Sequence, residues 1–112
     1  MGEFPIILAE YQMAQMTPEM VRSLLAYDQA TGIFTWRVGR RGHAMAGDVA
    51  GCCNINGYQY IGLSGRDYRA HRLAWLYMVG AWPNDEIDHV NGVRDDNRWA
   101  NLRMVTRSLN AQ

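Results

Sequence analysis

The sequence contains no lysine; all eleven of its basic residues are arginine. Cysteine is nearly absent as well. Cys52 and Cys53 are the only two, and they are adjacent. Adjacent cysteines make neither a disulfide framework nor a CxxC zinc knuckle, so the pair reads as reduced and part-buried, as in a cytoplasmic protein. No long hydrophobic run is present. Ile6-Ile7-Leu8-Ala9 has no basic stretch before it and falls far short of the ~20 apolar residues that span a bilayer. This excludes a membrane partner of the spanning kind and predicts a soluble, cytoplasmic chain. Net charge is also absent, with eleven basic against eleven acidic residues, so bulk charge does not announce a polyanionic partner. Internal repeats and low-complexity segments are missing too.

What is there fits one small domain. A chain of 112 residues, 48 % hydrophobic and with four tryptophans, can bury a modest core. The charge is unevenly spread: Glu3, Glu10 and Glu19 lie in the first 21 residues, which hold no base, so the remainder is net positive. A guanidinium fork suits phosphate, although GC-rich coding produces the same preference for arginine.

Residues 1–16 match the rest poorly and read as an N-terminal tail or extension. Thr17-Pro18-Glu19 starts a helix with an N-cap, proline at the first position and an acid in the first turn. Met20, Val21, Leu24 and Leu25 give it one apolar stripe, and the spacing predicts an end near Tyr27. Asp28 to Gly32 is a turn and Ile33-Phe34-Thr35-Trp36 a strand. Residues 37–51, rich in glycine and arginine, read as a loop. Residues 57–63 alternate as a strand, Ser64 to Asp67 turn it, and Tyr68-Arg69-Ala70 return, making a hairpin. His71 to Val79 is a helix, apolar nearly all round and closed by Gly80. His71, at its start, reads as a structural or capping histidine. The fold class is α+β, a small single domain in which residues 17–85 support a functional stretch at 86–112.

That stretch is EIDHVNGVRDDNRWANLRMVTRSLNAQ. Glu86 to Val90 reads as a short strand, Asn91-Gly92 as a tight turn, Leu102 to Val105 as a second strand, and Thr106 as the N-cap of a closing helix. Carboxylate, imidazole and amide oxygen occur together, a set that holds a hard divalent cation and moves a proton. Four arginines are interleaved with them. Successive strand residues point to opposite faces, so Asp88 and His89 share a site only where the strand ends or twists.

The pattern I-D-H-x-N-G-x-x-x-D-N-R-x-x-N-L-R-x-V-T-x-x-x-N, over residues 87–110, resembles the HNH endonucleases of the branch found in phages and mobile introns, the homing-endonuclease type. The upstream segments Y-D-x-x-T-G-x-F-x-W (27–36) and H-R-L-A-W (71–75) resemble them more weakly. The resemblance implies a C-terminal ββα-metal (His-Me finger) motif and hydrolysis of DNA phosphodiesters, leaving 5′-phosphate and 3′-hydroxyl ends. Within it, His89 is the general base, and Asn101 orients the imidazole and ties the loop down. Asp88 and Asn110 hold the divalent metal, Mg²⁺ or Mn²⁺. An imidazole base works neutral, so activity is expected to rise through roughly pH 6 to 8. Arg103 and Arg107 are the first candidates for DNA phosphates. Arg98 and Arg94 follow, with Arg98 alternatively paired to Asp95 or Asp96, and then Arg69 and Arg66 on the hairpin. Relatives of this branch often carry a DNA-recognition module beyond the last asparagine, so target choice is not expected to be legible here. The expected setting is the cytoplasm of a bacterial or phage-infected cell. The rival reading is a DNA-binding module with a vestigial site; a zinc protein built on Cys52, Cys53, His43 and His71 is a weaker third.

Overall fold

The structure, a computed structural model, describes residues 16–39 and 44–106. Helix α1 (Pro18–Leu24) begins as its sequence dictates: the Thr17 hydroxyl accepts the Met20 N–H at 3.1 Å, and Pro18 and Glu19 fill the first turn. It stops at Leu24, short of Tyr27. Leu25–Asp28 is instead strand β1, paired antiparallel with β2 (Ile33–Trp36) from Leu25↔Trp36 to Asp28↔Ile33. The turn between them explains the correction. Asp28 collects the N–H of Gly32 on its carbonyl (2.7 Å) and that of Ala30 on its carboxylate (3.0 Å), and Gly32 adopts φ +78°. A tight turn at this point brings two strands together, and four cross-strand pairs override one more helical turn.

The described part of the expected loop, 44–51, is laid along β2. Trp36 N–H donates to Asp48 O (2.9 Å), Gly47 N–H to Trp36 O (2.7 Å) and Ala50 N–H to Phe34 O (2.9 Å). A second sheet follows, in the order β3 (Cys52–Cys53), β4 (Gln59–Leu63), β5 (Arg66–Arg69). Cys52 and Cys53, on a two-residue edge strand, are exposed rather than part-buried. Ser64 and Gly65 join β4 to β5 with φ of 52° and 81°, the paired positive angles of a type I′ hairpin turn.

Helix α2 (Ala70–Val79) follows β5 without a break and ends at Gly80, whose φ of 90° lets its N–H reach Leu76 O at 2.9 Å. It buries Leu73, Ala74 and Leu76 against Val21, Leu25, Phe34, Ile61 and Leu63. Arg22 of α1 caps the exposed end of α2 by donating Nε and Nη2 to Tyr77 O. Met16, expected in the tail, belongs to this core: it is buried, and its carbonyl accepts Trp82 Nε1–H at 2.9 Å. Residues 1–15 lie outside the described residues.

The third sheet pairs β6 (Glu86–His89) with β7 (Leu102–Val105), and Ile87 and Leu102 extend the core into it. Between them runs a 12-residue loop ending in a 3₁₀ turn (Trp99–Asn101). The helix expected after Thr106 lies outside the described residues. The architecture is α+β, and no described helix is long and apolar enough to cross a membrane.

Candidate active site

Four polar side chains are buried among the described residues: His71, His89, Asn97 and Asn101. Buried polar groups need partners, and these four meet at the end of β6, where α2, β6 and the following loop converge.

His89 is the last residue of β6. It points inward on the face of Ile87, and its Nε2 lies 2.9 Å from Oδ1 of Asn97. An amide oxygen only accepts, so in the neutral ring Nε2 carries the proton and Nδ1 keeps its lone pair. The His71 ring meets the His89 ring edge-on at 4.9 Å between centroids. Burial pushes the His71 pKa down to about 3, helped by the neighbouring His89, Arg69 and Arg72 charges. His71 is thus a neutral wall for His89 at physiological pH.

Asn101 does not reach His89. Its Oδ1 accepts the Asn91 N–H (3.0 Å), and its Nδ2 donates to Asn91 Oδ1 (2.9 Å) and Asp96 O (2.8 Å). Of the two duties read for it, the structure gives it the loop and gives the imidazole to Asn97. The HNH resemblance assigned Asn97 no role.

The loop is staked at several points. Asp96 receives Nε and Nη2 of Arg98 (2.8 and 2.7 Å) and Nδ2 of Asn91 (2.8 Å). The Arg98 guanidinium holds the Asp96 carboxyl well below the usual carboxylate range. Arg98 therefore spends its fork on the loop, one of the two uses read for it. From the other side, Tyr27 of β1 donates its hydroxyl to Asn97 O (2.5 Å), and Gln29 O accepts Trp99 N–H (3.0 Å). Burial, with Asp28 and Asp96 adding, pushes the Tyr27 phenol far up, so it stays a donor. Gly32 touches the same backbone: a Cβ there would lie 2.3 Å from both Arg98 N and Asn97 C. The N-terminal hairpin is thus the support for the residue that aims His89, a role its local sequence does not reveal.

Asp88 lies on the alternate face of β6. Its cross-strand partner Arg103 donates Nε (3.2 Å) and Nη2 (2.9 Å) to Oδ2, and the Asp88 side chain remains 44 % exposed. The structure therefore brings His89 to Asn97, and Asp88 to Arg103. One carboxylate oxygen of Asp88 is outside that ion pair, and a half-exposed anionic oxygen suits a hard cation that retains waters. Asn110, the other expected ligand, and Arg107 lie outside the described residues, and no group of three His, Cys, Asp or Glu side chains gathers for a metal among the described ones.

The remaining arginines divide by strand geometry. Arg69 and Arg94 both sit over the Tyr58 ring, 4.6 and 5.1 Å from its centroid. Arg66, three residues before Arg69 on β5, falls on the opposite face with Tyr68. The structure does not bring it to the site.

Residues 68–112 match the family model described as HNH endonuclease, so the resemblance read from residues 87–110 is borne out over that stretch. Among solved structures, the chain is similar to the HNH homing endonuclease I-HmuI, whose structure is described as showing DNA binding and cleavage. Identity is 26 % and the TM-score 0.57, over 78 % of this chain and 49 % of that one. The chain thus spans about half the length of that relative. No curated protein sequence matches significantly.

Proposed function

Proceeding from the HNH endonuclease match of residues 68–112, we propose that this chain is a DNA endonuclease that hydrolyses phosphodiester bonds with His89 as general base. The observation that carries this reading is the buried imidazole at the end of β6 whose Nε2 is held by Asn97, inside the matched stretch. A ring fixed through one nitrogen presents the other at a constant position, and general-base catalysis needs such a fixed acceptor.

In the mechanism, Nδ1 of His89 takes a proton from water as that water attacks the phosphorus, and the Asn97 amide supports the imidazolium that forms. His71 and Tyr58 cover the ring and limit its contact with bulk solvent. Asp88 and Asn110 would hold a divalent cation, which would supply Lewis-acid neutralisation of the charge that develops on the substrate. The expected products are 5′-phosphate and 3′-hydroxyl ends, as the HNH resemblance implies. Arg103 is poised between two duties, neutralising Asp88 and meeting a DNA phosphate.

Supercoiled plasmid incubated with Mg²⁺, with Mn²⁺ or with EDTA provides the test. Relaxed or linear product in metal alone, lost in His89→Ala, is the expected result. Cleavage by His89→Ala at the wild-type rate would overturn the mechanism. No cleavage by folded wild-type protein in either metal would favour the non-catalytic binding module.

A further inference from the structure

Tyr58 precedes β4 by one residue and lies outside the HNH-matched stretch. Its ring stands 5.5 Å from that of His71 and 6.2 Å from that of His89. Arg69 and Arg94 reach this ring from different parts of the chain, the end of β5 and the loop after β6, with guanidinium carbons at 4.6 and 5.1 Å. Arg69 also lies over the Tyr60 ring, 5.9 Å from its centroid. Arg69 Nε donates to the Tyr60 hydroxyl (3.1 Å), and Arg94 Nη1 donates to Asn56 O (2.8 Å). Neither makes an ion pair with a carboxylate among the described residues, where the pairs are Arg98 with Asp96 and Arg103 with Asp88. Both are exposed.

Two like charges gathered at one ring with no acid repel each other, and the arrangement gains when an anion arrives. The ring's negative face holds each cation without consuming its N–H donors, and a guanidinium has five. The α2 N-terminus adds to the same potential: Arg69 is its N-cap, no side chain caps it, and its first turn carries no acid. The Tyr58 ring and His71, in the first turn of α2, both neighbour the His89 ring.

We propose that Arg69, Arg94 and Tyr58 form a binding site for a DNA backbone phosphate beside His89, in which Tyr58 is the positioning residue that sets both guanidiniums. The identity of the anion rests on the nuclease reading; the site itself does not depend on cleavage. Bound there, a phosphate holds the strand in register, so that the neighbouring phosphate meets the water from which His89 takes a proton.

The test is binding of a short DNA duplex in EDTA, measured against salt concentration, in a His89→Ala background where no cutting occurs. Tyr58→Leu should weaken binding roughly fivefold at ~0.1 M salt, as expected for losing cation–π alignment at two sites. It should also flatten the salt dependence, toward the loss of about 0.9 in slope expected for one phosphate contact. Tyr58→Phe, which keeps the ring, should restore both. In an Arg69→Gln/Arg94→Gln background, Tyr58→Leu should add nothing. Unchanged affinity and slope in folded Tyr58→Leu would overturn the proposal, and so would an equal loss in the double-glutamine background. Should Tyr58→Leu fail to fold, Arg69→Gln and Arg94→Gln decide alone: each must reduce the salt slope, and an unaltered slope in both rejects the site. If wild-type protein shows these binding effects yet never cuts DNA in Mg²⁺ or Mn²⁺, the nuclease reading falls and the phosphate site stands.

Discussion

The Nε2 of His89 lies 2.9 Å from the side-chain oxygen of Asn97, eight residues further along the chain, and both groups are buried. This bond selects the tautomer that leaves Nδ1 basic. Asn97→Ala should therefore lower kcat on the order of 10²-fold, part of the 10²–10⁴ that a positioned general base contributes. Asn97→Asp keeps an acceptor but adds a negative charge, which favours the imidazolium. Its pH–rate profile should shift to higher pH. A rate for Asn97→Ala equal to wild type would remove Asn97 from the mechanism.

Asn97 is itself held from behind. Gly32→Ala would put a methyl 2.3 Å from the Asn97–Arg98 backbone, at a φ of +78°. Unfolding curves should show a loss of roughly 1–3 kcal/mol, the scale of strain at such a position. Cleavage should fall further than the folded fraction does. Tyr27→Phe should be milder, about 1 kcal/mol, since it leaves one buried carbonyl without its donor.

Arg103 neutralises Asp88 across the β6–β7 pair at 2.9 Å. Arg103→Ala should release the carboxylate, so Mn²⁺ titration by calorimetry or electron paramagnetic resonance should show tighter binding. The same variant should bind DNA more weakly, with a salt slope shallower by about 0.9 if Arg103 also meets a phosphate. Weaker Mn²⁺ binding in Arg103→Ala would show that Arg103 does not compete with the metal for Asp88.

His71 carries a pH signature. Its folded pKa of about 3 is below the unfolded value of 6.5, so in that interval the unfolded chain binds a proton that the folded chain refuses. The stability it contributes is complete above about pH 6.5 and is lost as pH falls toward 3. Denaturation midpoints of wild-type protein should decline on the acid side, and His71→Phe, which cannot titrate, should decline less steeply. Equal acid limbs for the two proteins would contradict this account.

Much of the architecture was legible because it is local. The Thr17-Pro18-Glu19 start, the Ser64-Gly65 turn, the Gly80 helix end and the strand Leu102–Val105 are decided by the dihedrals and donors of a few neighbouring residues. The motif from Ile87 to Asn110 was legible because its spacing is carried within one stretch. By itself the sequence determined the α+β class, the HNH resemblance and the location of the candidate base. Only the tertiary structure decided what surrounds that base. A helical stripe at Leu24–Leu25 yielded to strand pairing with residues eleven positions or fewer away, a competition that periodicity cannot weigh. The partner of His89 proved to be Asn97 rather than Asn101, because both amides sit in one loop and the choice between them rests on Tyr27 and Gly32, some seventy residues earlier. Arg69 and Arg94 were chosen together by one aromatic ring, which no separation along the chain announces. Long-range packing selects among side chains that are chemically equivalent in the sequence.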